Sequence, residues 1–396
     1  MRTSHIIIVS ITAWEGNYLK STVELAKELS ADSKIWFLDY QFTLKDFIWG
    51  LLGLNRSVPW KRMAGLSKRS REIPTQPGRF VTVFTPPPII PAFWVKSFRI
   101  FSFFNRINQR IVLGSYARFL KKQQVKPAAI MTALNPFMGL GVKKYFPKTP
   151  HAYYCFDEIK AAHYLKIFGG KAEDILLEEV DAAVFTSDYL LGIKGKNVPK
   201  TAVIKNGVHF QNFAASKRTH FPQNPPKVGY LGSIDDRFDI DLMEKVIQNL
   251  PDIKFHFVGR VVYQKVQEKL APYPNVEFSP PVPAEQVPPI MGSMDIGIIP
   301  YLKNDFTRAV YPLKVNEYLS VGLPVIMTSF ADLPDFKGYA SIADDPETFT
   351  TLIKHLLKED SEEKCDARMR FAARNSWTQR ANDLERFLQS LREAVN

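Results

Sequence analysis

Residues 311–326 read YPLKVNEYLSVGLPVI and describe a short helix followed by a buried strand. Pro312 suits the first turn of this helix and Gly322 suits its C-terminal cap. Lys314 and Glu317 are three residues apart, so they share one face of the helix. The apolar residues after Pro324 predict a strand inside a sheet. The stretch therefore predicts a helix-to-strand unit of an α/β fold, with a lysine and a glutamate on the helix.

The pair of Lys314 and Glu317 has two interpretations. A helix N-terminus offers free amides and a positive dipole end to a phosphate, and a lysine adds a point charge. A glutamate one turn later can accept hydrogen bonds from ribose hydroxyl groups. These features suit a nucleotide diphosphate. The alternative is an exposed helix on which the two side chains form a salt pair with each other, and the spacing alone leaves both open.

Strand-like apolar runs alternate with helix-like segments, which is typical of parallel sheets covered by helices on both faces. The pattern restarts near Lys227, after the proline-containing residues 221–226, and 396 residues exceed the usual size of one core. We therefore predict an N-terminal domain over residues 1–220, a second domain over 221–375 and a C-terminal helix over 376–396. The predicted strands are 5–11, 34–38, 79–84, 128–132, 151–155, 182–186, 202–204, 227–231, 254–258, 276–278, 296–300 and 324–327.

The positive charge lies in the first half of the chain. Of the net +12, residues 1–200 contribute 29 Lys and Arg against 15 Asp and Glu, or +14, which leaves 23 against 25, or −2, for the rest. No acidic residue lies between Glu72 and Asp157, and a helix-like segment there, 91–124, mixes aromatic and basic residues. This composition fits docking to an anionic membrane surface, although the aromatic residues could instead pack into the core. Residues 45–72 are predicted to form an irregular insertion.

The composition excludes several other classes. No nucleic-acid-binding motif accompanies the charge, so we expect no nucleic acid partner. Cys155 and Cys365 lie far apart without metal-ligand spacing, which argues against a disulfide framework or a zinc site. The first apolar run, residues 6–11, is too short for a signal peptide, and no stretch is long enough for a membrane span. We therefore expect a cytoplasmic protein.

Loops that follow strands are the expected ligand sites, because ligands bind beyond the carboxyl ends of parallel strands. The first such loop contains Trp14-Glu15-Gly16-Asn17 and does not match the dinucleotide fingerprint, which disfavours a nicotinamide enzyme. In the second domain, Gly232 and Ser233 would let backbone amides approach a phosphate, with Arg237 within reach. Arg260 also lies just past a strand end. Turn chemistry and surface salt bridges explain these residues as well.

Asp157 is the candidate general base, because it directly follows a predicted strand and could remove a proton from an acceptor hydroxyl. Its alternative role is the N-cap of the next helix. Asp239 and Asp241 form a D-x-D sequence, which some sugar-transferring enzymes use to hold a divalent metal, but acidic residues at a helix start explain it better. No cluster has metal-ligand spacing, so we expect no metal site.

In their order along the chain, these elements resemble the GT-B-fold glycosyltransferases, in which two Rossmann-like doubly wound domains face a central cleft. The resemblance extends over nearly the whole chain. The chain is similar in particular to bacterial enzymes of teichuronic acid and exopolysaccharide biosynthesis. It is carried by residues 186–190, 204–208, 229–233, 257–260, 294–300 and 312–325.

The resemblance implies that a sugar moves from a nucleotide-diphosphate donor to an acceptor. Together with the basic first half of the chain, it leads us to expect a lipid-linked or polysaccharide acceptor and an enzyme held peripherally at the inner face of the cell membrane. It implies that Glu317 binds the donor ribose, Lys314 the diphosphate, and the loop of Gly232 and Ser233 the phosphates or the sugar. The nucleotide sugar is a substrate, and no cofactor is implied. We also assign Arg237, Arg260 and Tyr311 to the donor side, and Trp14, Glu15, Gly16 and Asn17 to the acceptor side.

One position departs from the pattern of this family. Many retaining members carry a second glutamate eight positions before the ribose-binding one, where this chain has Ala309. Inverting members use a carboxylate of the N-terminal domain as the base, which favours Asp157 and inversion. Two alternatives remain: a sugar-nucleotide epimerase of the same fold, which the basic first half disfavours, and a catalytically silent membrane-associated scaffold, which Ala309 favours.

Overall fold

The computed structural model describes residues 4–16, 20–92, 94–161, 167–219, 222 and 224–393. Within them the chain forms two compact units. Unit 1 comprises the described residues of Met1–Lys205 and Arg380–Asn396, and unit 2 comprises those of Asn206–Gln379. Each unit is built on its own mainly parallel sheet with helices between the strands, so the predicted α/β class is confirmed.

Unit 1 contains a sheet of eight described strands in the order β3-β4-β2-β1-β5-β6-β7-β8. All neighbouring strands are parallel except β3 and β4, which pair antiparallel at one edge. The strands are β1 (His5–Ser10), β2 (Lys34–Leu38), β3 (Ser70–Gln76), β4 (Arg79–Phe84), β5 (Ala129–Ala133), β6 (His151–Cys155), β7 (Ala182–Phe185) and β8 (Thr201–Val203). The helices are α1 (Ser21–Leu29), α2 (Leu44–Leu51), α3 (Trp60–Ala64), α4 (Phe98–Lys122), α5 (Pro136–Gly139), α6 (Val142–Tyr145), α7 (Gly169–Glu179) and α8 (Asp188–Lys194).

Unit 2 contains a sheet of six described strands, all parallel, in the order β11-β10-β9-β12-β13-β14. The strands are β9 (Lys227–Leu231), β10 (Lys254–Val258), β11 (Val276–Ser279), β12 (Ile296–Ile299), β13 (Val325–Met327) and β14 (Ala340–Ile342). The α-helices are α9 (Phe210–Ala214), α10 (Ile240–Asn249), α11 (Gln264–Leu270), α12 (Val287–Gly292), α13 (Asp305–Arg308), α14 (Leu313–Ser320), α15 (Pro346–Glu359) and α16 (Glu362–Ala373), with short 3-10 turns at Ala284–Gln286 and Pro334–Phe336. The last helix, α17 (Trp377–Glu393), begins in unit 2 and belongs to unit 1 from Arg380 onward.

In both sheets the chain reverses its direction of travel beside the first strand. In unit 1 it moves from β1 to β2 and β4, then returns to β5 on the other side of β1. In unit 2 it moves from β9 to β10 and β11, then returns to β12 on the other side of β9. A crevice forms at the carboxyl ends of the two strands that flank such a switch point. The loops after β9 and β12 are therefore the places to look for a ligand site in unit 2.

The predicted irregular insertion at 45–72 is wrong in part, because it contains two helices and the start of β3. Thr43 begins α2 with a capping box: its hydroxyl accepts a hydrogen bond from the Asp46 N–H, and the Asp46 carboxylate accepts one from the Thr43 N–H. This reciprocal arrangement satisfies two otherwise free amides at the helix start. The long helix predicted at 91–124 is present as α4, which begins later, at Phe98.

The division between the units differs from the predicted boundary at 220 and 221. Val208 and Phe213 pack into the core of unit 2. The buried Arg218 guanidinium donates to the Asp295 carbonyl oxygen and to the Asp360 carboxylate, each at 2.9 Å. These contacts hold the segment that starts at Asn206 to unit 2. In α17, which matches the predicted C-terminal helix, residues from Arg380 onward group with unit 1, where Glu385 accepts a hydrogen bond from the Ser33 hydroxyl at 2.6 Å.

Candidate functional site

Helix α14 presents Lys314 and Glu317 as the sequence predicts. The helix starts after Pro312, whose position as N-cap supplies no side-chain hydrogen bond to the first amides. It ends in a Schellman motif: Gly322, with φ of +81°, donates its N–H to Leu319, and Leu323 donates to Tyr318. The amino end of α14 thus retains amides without a side-chain cap, one turn before Glu317.

Lys314 lies against the glycine turn that follows β9. A Cβ atom at Gly232 would stand 2.4 Å from Lys314 Cε and 2.6 Å from its Nζ. Gly232 has φ of +135°, and Gly259, which follows β10 with φ of +146°, packs its Cα against the Gly232 carbonyl oxygen. Both positions require glycine, because a side chain would be strained and would collide with its neighbour. The two turns therefore form a tight backbone platform beneath the lysine.

Two tyrosine side chains complete the surroundings of the Lys314 ammonium. Its Nζ lies 3.4 Å from the Tyr301 hydroxyl oxygen and 5.3 Å from the centre of the Tyr230 ring. The two hydroxyl groups are 3.1 Å apart, and that of Tyr230 donates to the Ser233 carbonyl oxygen at 2.7 Å. Burial alone would raise the pKa of Tyr301, but the charges of Lys314 and Arg237 lower it. The site thus carries a positive potential strong enough to act on a buried phenol.

Arg237 contributes to this potential although its guanidinium is already engaged. Its Nε and Nη2 donate to the two carboxylate oxygens of Asp235 at 2.8 and 2.6 Å, and its Cζ lies 5.0 Å from the centre of the Tyr301 ring. The bidentate pair holds the guanidinium in place. The predicted direct contact of Arg237 with a phosphate would require this pair to open or to share its donors.

Glu317 lies one turn beyond Lys314 and is partly exposed. Burial raises the pKa of its carboxyl, while the charges of Lys314 and His209 oppose that shift. Among the residues that the structure describes, its carboxylate makes no hydrogen bond or ion pair. The alternative salt pair between Lys314 and Glu317 is therefore not formed. A carboxylate without such hydrogen bonds or ion pairs can accept hydrogen bonds from a ligand.

The other residues predicted on the donor side have structural roles as well. The Tyr311 ring is buried against Phe336, and its carbonyl oxygen accepts a hydrogen bond from Asn206 Nδ2 at 3.0 Å, so the ring belongs to the core rather than to a ligand surface. The Arg260 side chain is exposed, and its carbonyl oxygen accepts the Ile234 N–H at 2.9 Å. Ser233 is fixed through its own carbonyl oxygen by Tyr230.

Asp157 lies beyond the carboxyl end of β6 in unit 1 and is partly buried. The next helix among the described residues starts at Gly169 with Phe168 as its N-cap, so the alternative role of Asp157 as an N-cap is not seen there. The adjacent Glu158 has a structural role, because it accepts an ion pair from the buried Lys194 at 3.1 Å. Lys194 also binds Glu173 at 2.6 Å. Glu158 is thus a structural carboxylate, and Asp157 stays the candidate base on the ground of its position after β6.

The loop after β1 is arranged differently from the prediction. Trp14 is buried, with its ring edge-on to the Phe37 ring at 5.0 Å. Its backbone N–H donates a hydrogen bond to the Asp39 carboxylate at 2.8 Å. Trp14 is thus a core residue and not an acceptor contact. Glu15 and Gly16 are exposed, and the Glu15 carboxylate lies 3.1 Å from Arg71. Asn17 lies outside the described residues.

The D-x-D sequence is a helix cap, as expected. The Asp239 carboxylate accepts the Leu242 N–H at 3.0 Å and begins α10. Within the described ranges, no group of three or more His, Cys, Asp or Glu residues is arranged to hold a metal ion.

Sequence reasoning missed Tyr230, Tyr301 and His209. No spacing rule connects residues so far apart in the sequence. Tyr230 and Tyr301 share a signal of position, because Tyr230 lies in β9 and Tyr301 follows β12, the two strands that flank the switch point. His209 lies directly before α9.

Parts of the chain are similar in sequence to known proteins. Residues 225–359 match the family described as "Glycosyl transferases group 1". TuaH of Bacillus subtilis strain 168, a candidate teichuronic acid biosynthesis glycosyltransferase, is 30% identical over 175 residues, which cover 40% of this chain and 43% of that protein. The match thus spans less than half of that relative's length.

Solved structures resemble the whole chain. A sucrose-phosphate synthase of Thermosynechococcus elongatus superposes with a TM-score of 0.70 at 14% identity, over 99% of this chain and 100% of that one. An E. coli trehalose-6-phosphate protein bound to UDP-2-fluoro glucose gives 0.68 at 10% identity, over 98% and 99%. The predicted GT-B fold and the resemblance to bacterial glycosyltransferases are confirmed. Residues 225–359, which match the glycosyl transferases group 1 family, lie in unit 2 and include Gly232, Lys314 and Glu317.

Proposed function

We propose that the chain is a glycosyltransferase that moves a sugar from a nucleotide-diphosphate donor to a lipid-linked or polysaccharide acceptor during the synthesis of a cell-surface glycan. The observation that carries this proposal is the Lys314 ammonium, which lies against the Gly232 turn at the switch point of a sheet in the matched domain. Among the described residues, Lys314 forms no salt bridge with a carboxylate. A fixed cation together with the amides at the amino end of α14, which have no side-chain cap, suits a diphosphate.

On the donor side, Lys314 and the amides of α14 bind the diphosphate, and the Glu317 carboxylate accepts hydrogen bonds from the ribose. The UDP-2-fluoro glucose bound to the E. coli protein of the same fold supports a nucleotide sugar as the ligand. Lys314 and the helix end supply positive charge where the leaving diphosphate becomes more negative, so we propose that transfer requires no metal ion.

On the acceptor side, we propose that unit 1 binds a hydroxyl-bearing acceptor near Asp157. The acceptor oxygen attacks the anomeric carbon, the bond from that carbon to the diphosphate oxygen breaks, and Asp157 takes the hydroxyl proton. The configuration at the anomeric carbon is inverted. The name of TuaH supports a surface glycan as the product, and the basic character of residues 1–200 supports peripheral association with the inner face of the membrane. Within the described residues, no helix combines the length and apolar character needed to cross a membrane.

Incubation of the purified chain with a panel of nucleotide sugars tests the proposal. We expect nucleoside diphosphate to be released when a lipid-linked or glycan acceptor is present and to remain near background without one. Conversion of the nucleotide sugar without any acceptor would instead identify an epimerase. Failure of every nucleotide sugar and nucleoside diphosphate to bind, measured by calorimetry, would contradict the proposal and leave the scaffold alternative.

A further inference from the structure

A helix of unit 1 turns its apolar side to solvent. In α2 and the turn after it, Leu44, Ile48, Leu51 and Leu52 follow the i, i+4, i+7, i+8 spacing of one helix face, and all four are exposed, Leu52 at 65%. The opposite face is packed, because a Cβ atom at Gly50 would stand 3.0 Å from Val58 Cβ. The orientation of α2 is thus fixed by its inner contacts and leaves the leucine and isoleucine side chains outside.

Further large apolar side chains are exposed in the segments that follow this helix along the chain. Leu54 is 71% exposed and Leu66 74%. Trp94 is also exposed, on the segment that follows Ile89, whose carbonyl oxygen accepts the Leu44 N–H at 2.8 Å. We call this set the α2 surface; it consists of Leu44, Ile48, Trp49, Leu51, Leu52, Leu54, Leu66 and Trp94. Exposed apolar residues are common singly, but four on one helix face mark a docking surface.

Charge identifies the partner. From Phe47 to Phe156 the chain contains 18 Lys and Arg and one acidic residue, Glu72. Lys45, Arg56, Lys61 and Lys68 are exposed beside the α2 surface, with Lys45 Nζ 4.4 Å from the centre of the Trp49 ring. A second copy of the chain would bring the same positive charge to the contact and would be repelled. Anionic lipid headgroups are complementary to the lysines, and the acyl chains are complementary to the leucines.

We propose that the α2 surface inserts into the interfacial layer of an anionic bilayer and anchors unit 1 there. The proposal rests on the proposed function, because it names the surface that would carry the peripheral membrane association proposed there. Part of the segment 91–124 is also compatible with this contact, because Trp94, Ile100 and Phe103 are exposed, whereas Phe101 of α4 is buried and packs against Phe137 and Phe168. Long basic side chains at the rim of the surface can reach the headgroups while their stems cover the apolar residues.

Flotation with phospholipid vesicles tests this proposal. Vesicles of phosphatidylcholine with phosphatidylglycerol are compared with vesicles of phosphatidylcholine alone. We expect the wild-type chain to float with the anionic vesicles, and Ile48→Asp/Leu52→Asp to lower the partition coefficient by at least about tenfold, since two apolar side chains lose their burial. Leu54→Asp should lower it in the same direction. The matched control Ile193→Asp/Ile342→Asp adds the same charge at exposed apolar positions elsewhere and should float like wild type.

Charge is tested by Lys61→Glu/Lys68→Glu, which should abolish the preference for anionic vesicles, against Lys354→Glu/Lys358→Glu as the control. Vesicle binding that is unchanged in the Ile48 and Leu52 variant would overturn the proposal. So would a wild-type chain that ignores vesicles but forms a dimer that this variant dissociates in sedimentation equilibrium. Calorimetry with nucleoside diphosphates on the same variants keeps the two proposals separate, because donor binding in unit 2 should be unaffected.

Discussion

The side chain of Lys314 occupies the space that a Cβ atom would need at Gly232, with Cε 2.4 Å and Nζ 2.6 Å from that position. This relationship ties the amino end of α14 to the turn after β9. It requires glycine for two independent reasons, because the φ of +135° is strained for any other residue and the space is already filled. The absence of a side chain at position 232 is therefore what lets the ammonium approach the backbone platform.

Replacement of Gly232 by alanine should disrupt this arrangement. We expect Gly232→Ala to lower the free energy of unfolding by about 1–3 kcal/mol through backbone strain and to displace Lys314, so that nucleoside diphosphate binding is lost. Gly338→Ala is the matched control, since Gly338 has φ of +85° but no atom within 4 Å of the added Cβ. It should cost about 1–2 kcal/mol and leave binding intact. Equal binding by both variants would show that the Gly232 contact has no role in the site.

Removal of the Lys314 charge should weaken binding of the nucleotide donor. A charge-assisted hydrogen bond contributes about 1.5–3 kcal/mol, so Lys314→Gln should weaken nucleoside diphosphate binding by at least about tenfold in calorimetry. Lys354→Gln, which changes an exposed lysine on α15 of the same unit, should bind like wild type. The same variant has an internal reporter: Lys314 helps to lower the pKa of Tyr301, so the pKa of that phenol should rise in ultraviolet titration. A change in the pKa of Tyr301 without a change in nucleoside diphosphate binding would place Lys314 outside the ligand site.

Glu317 should give opposite pH dependences for stability and for binding. Burial raises the pKa of its carboxyl above the ordinary value of 4.5, so between that value and the folded pKa the folded state holds more protons than the unfolded state. Stability contributed by Glu317 therefore falls as pH rises through this window. Nucleotide affinity should rise in the same window, because the ionised carboxylate is the better acceptor for ribose hydroxyls.

Glu317→Gln separates these effects. The variant should lose the pH dependence of nucleotide binding, bind more weakly at neutral pH, and gain stability relative to wild type above the window, as measured by denaturant unfolding at several pH values. Glu285→Gln, at an exposed position, serves as the control. A pH profile of binding that is the same in wild type and Glu317→Gln would remove Glu317 from the donor site.

The sequence predicts most of the sheets because their strands are continuous apolar runs bounded by turn residues. The strand β3 was missed because it is a half-exposed, antiparallel edge strand that contains Pro74, and its structure depends on pairing with β4. The helix α2 was missed because few polar residues separate its apolar ones, so the helical periodicity is weak. The capping signal of Thr43 and Asp46 is nevertheless present in the sequence. Tertiary pairing and local capping, rather than periodicity, decide these two elements.

The candidate site was predictable where its residues share one helix and not where the sheet brings them together. Lys314 and Glu317 follow from spacing on α14. Tyr230 and Tyr301 meet only because β9 and β12 are neighbours in the sheet, an order that the sequence does not state. Trp14 shows a second limit of prediction from sequence, because a residue that follows a strand end can turn its side chain into the core instead of toward a ligand.

The adjacent carboxylates Asp157 and Glu158 offer a direct test of the proposed base. Asp157→Asn should lower kcat by about 10²–10⁴, the usual contribution of a general base, while the affinity for nucleoside diphosphate stays within about twofold, because the donor site lies in unit 2. Glu158→Gln should behave in the opposite way. It weakens the buried ion pair with Lys194 and should lower the free energy of unfolding by about 1–3 kcal/mol, with kcat near that of wild type in the fraction that remains folded. Steady-state kinetics and thermal unfolding of the two variants give the comparison. Near-normal turnover in Asp157→Asn, in protein that melts like wild type, would show that another group accepts the proton.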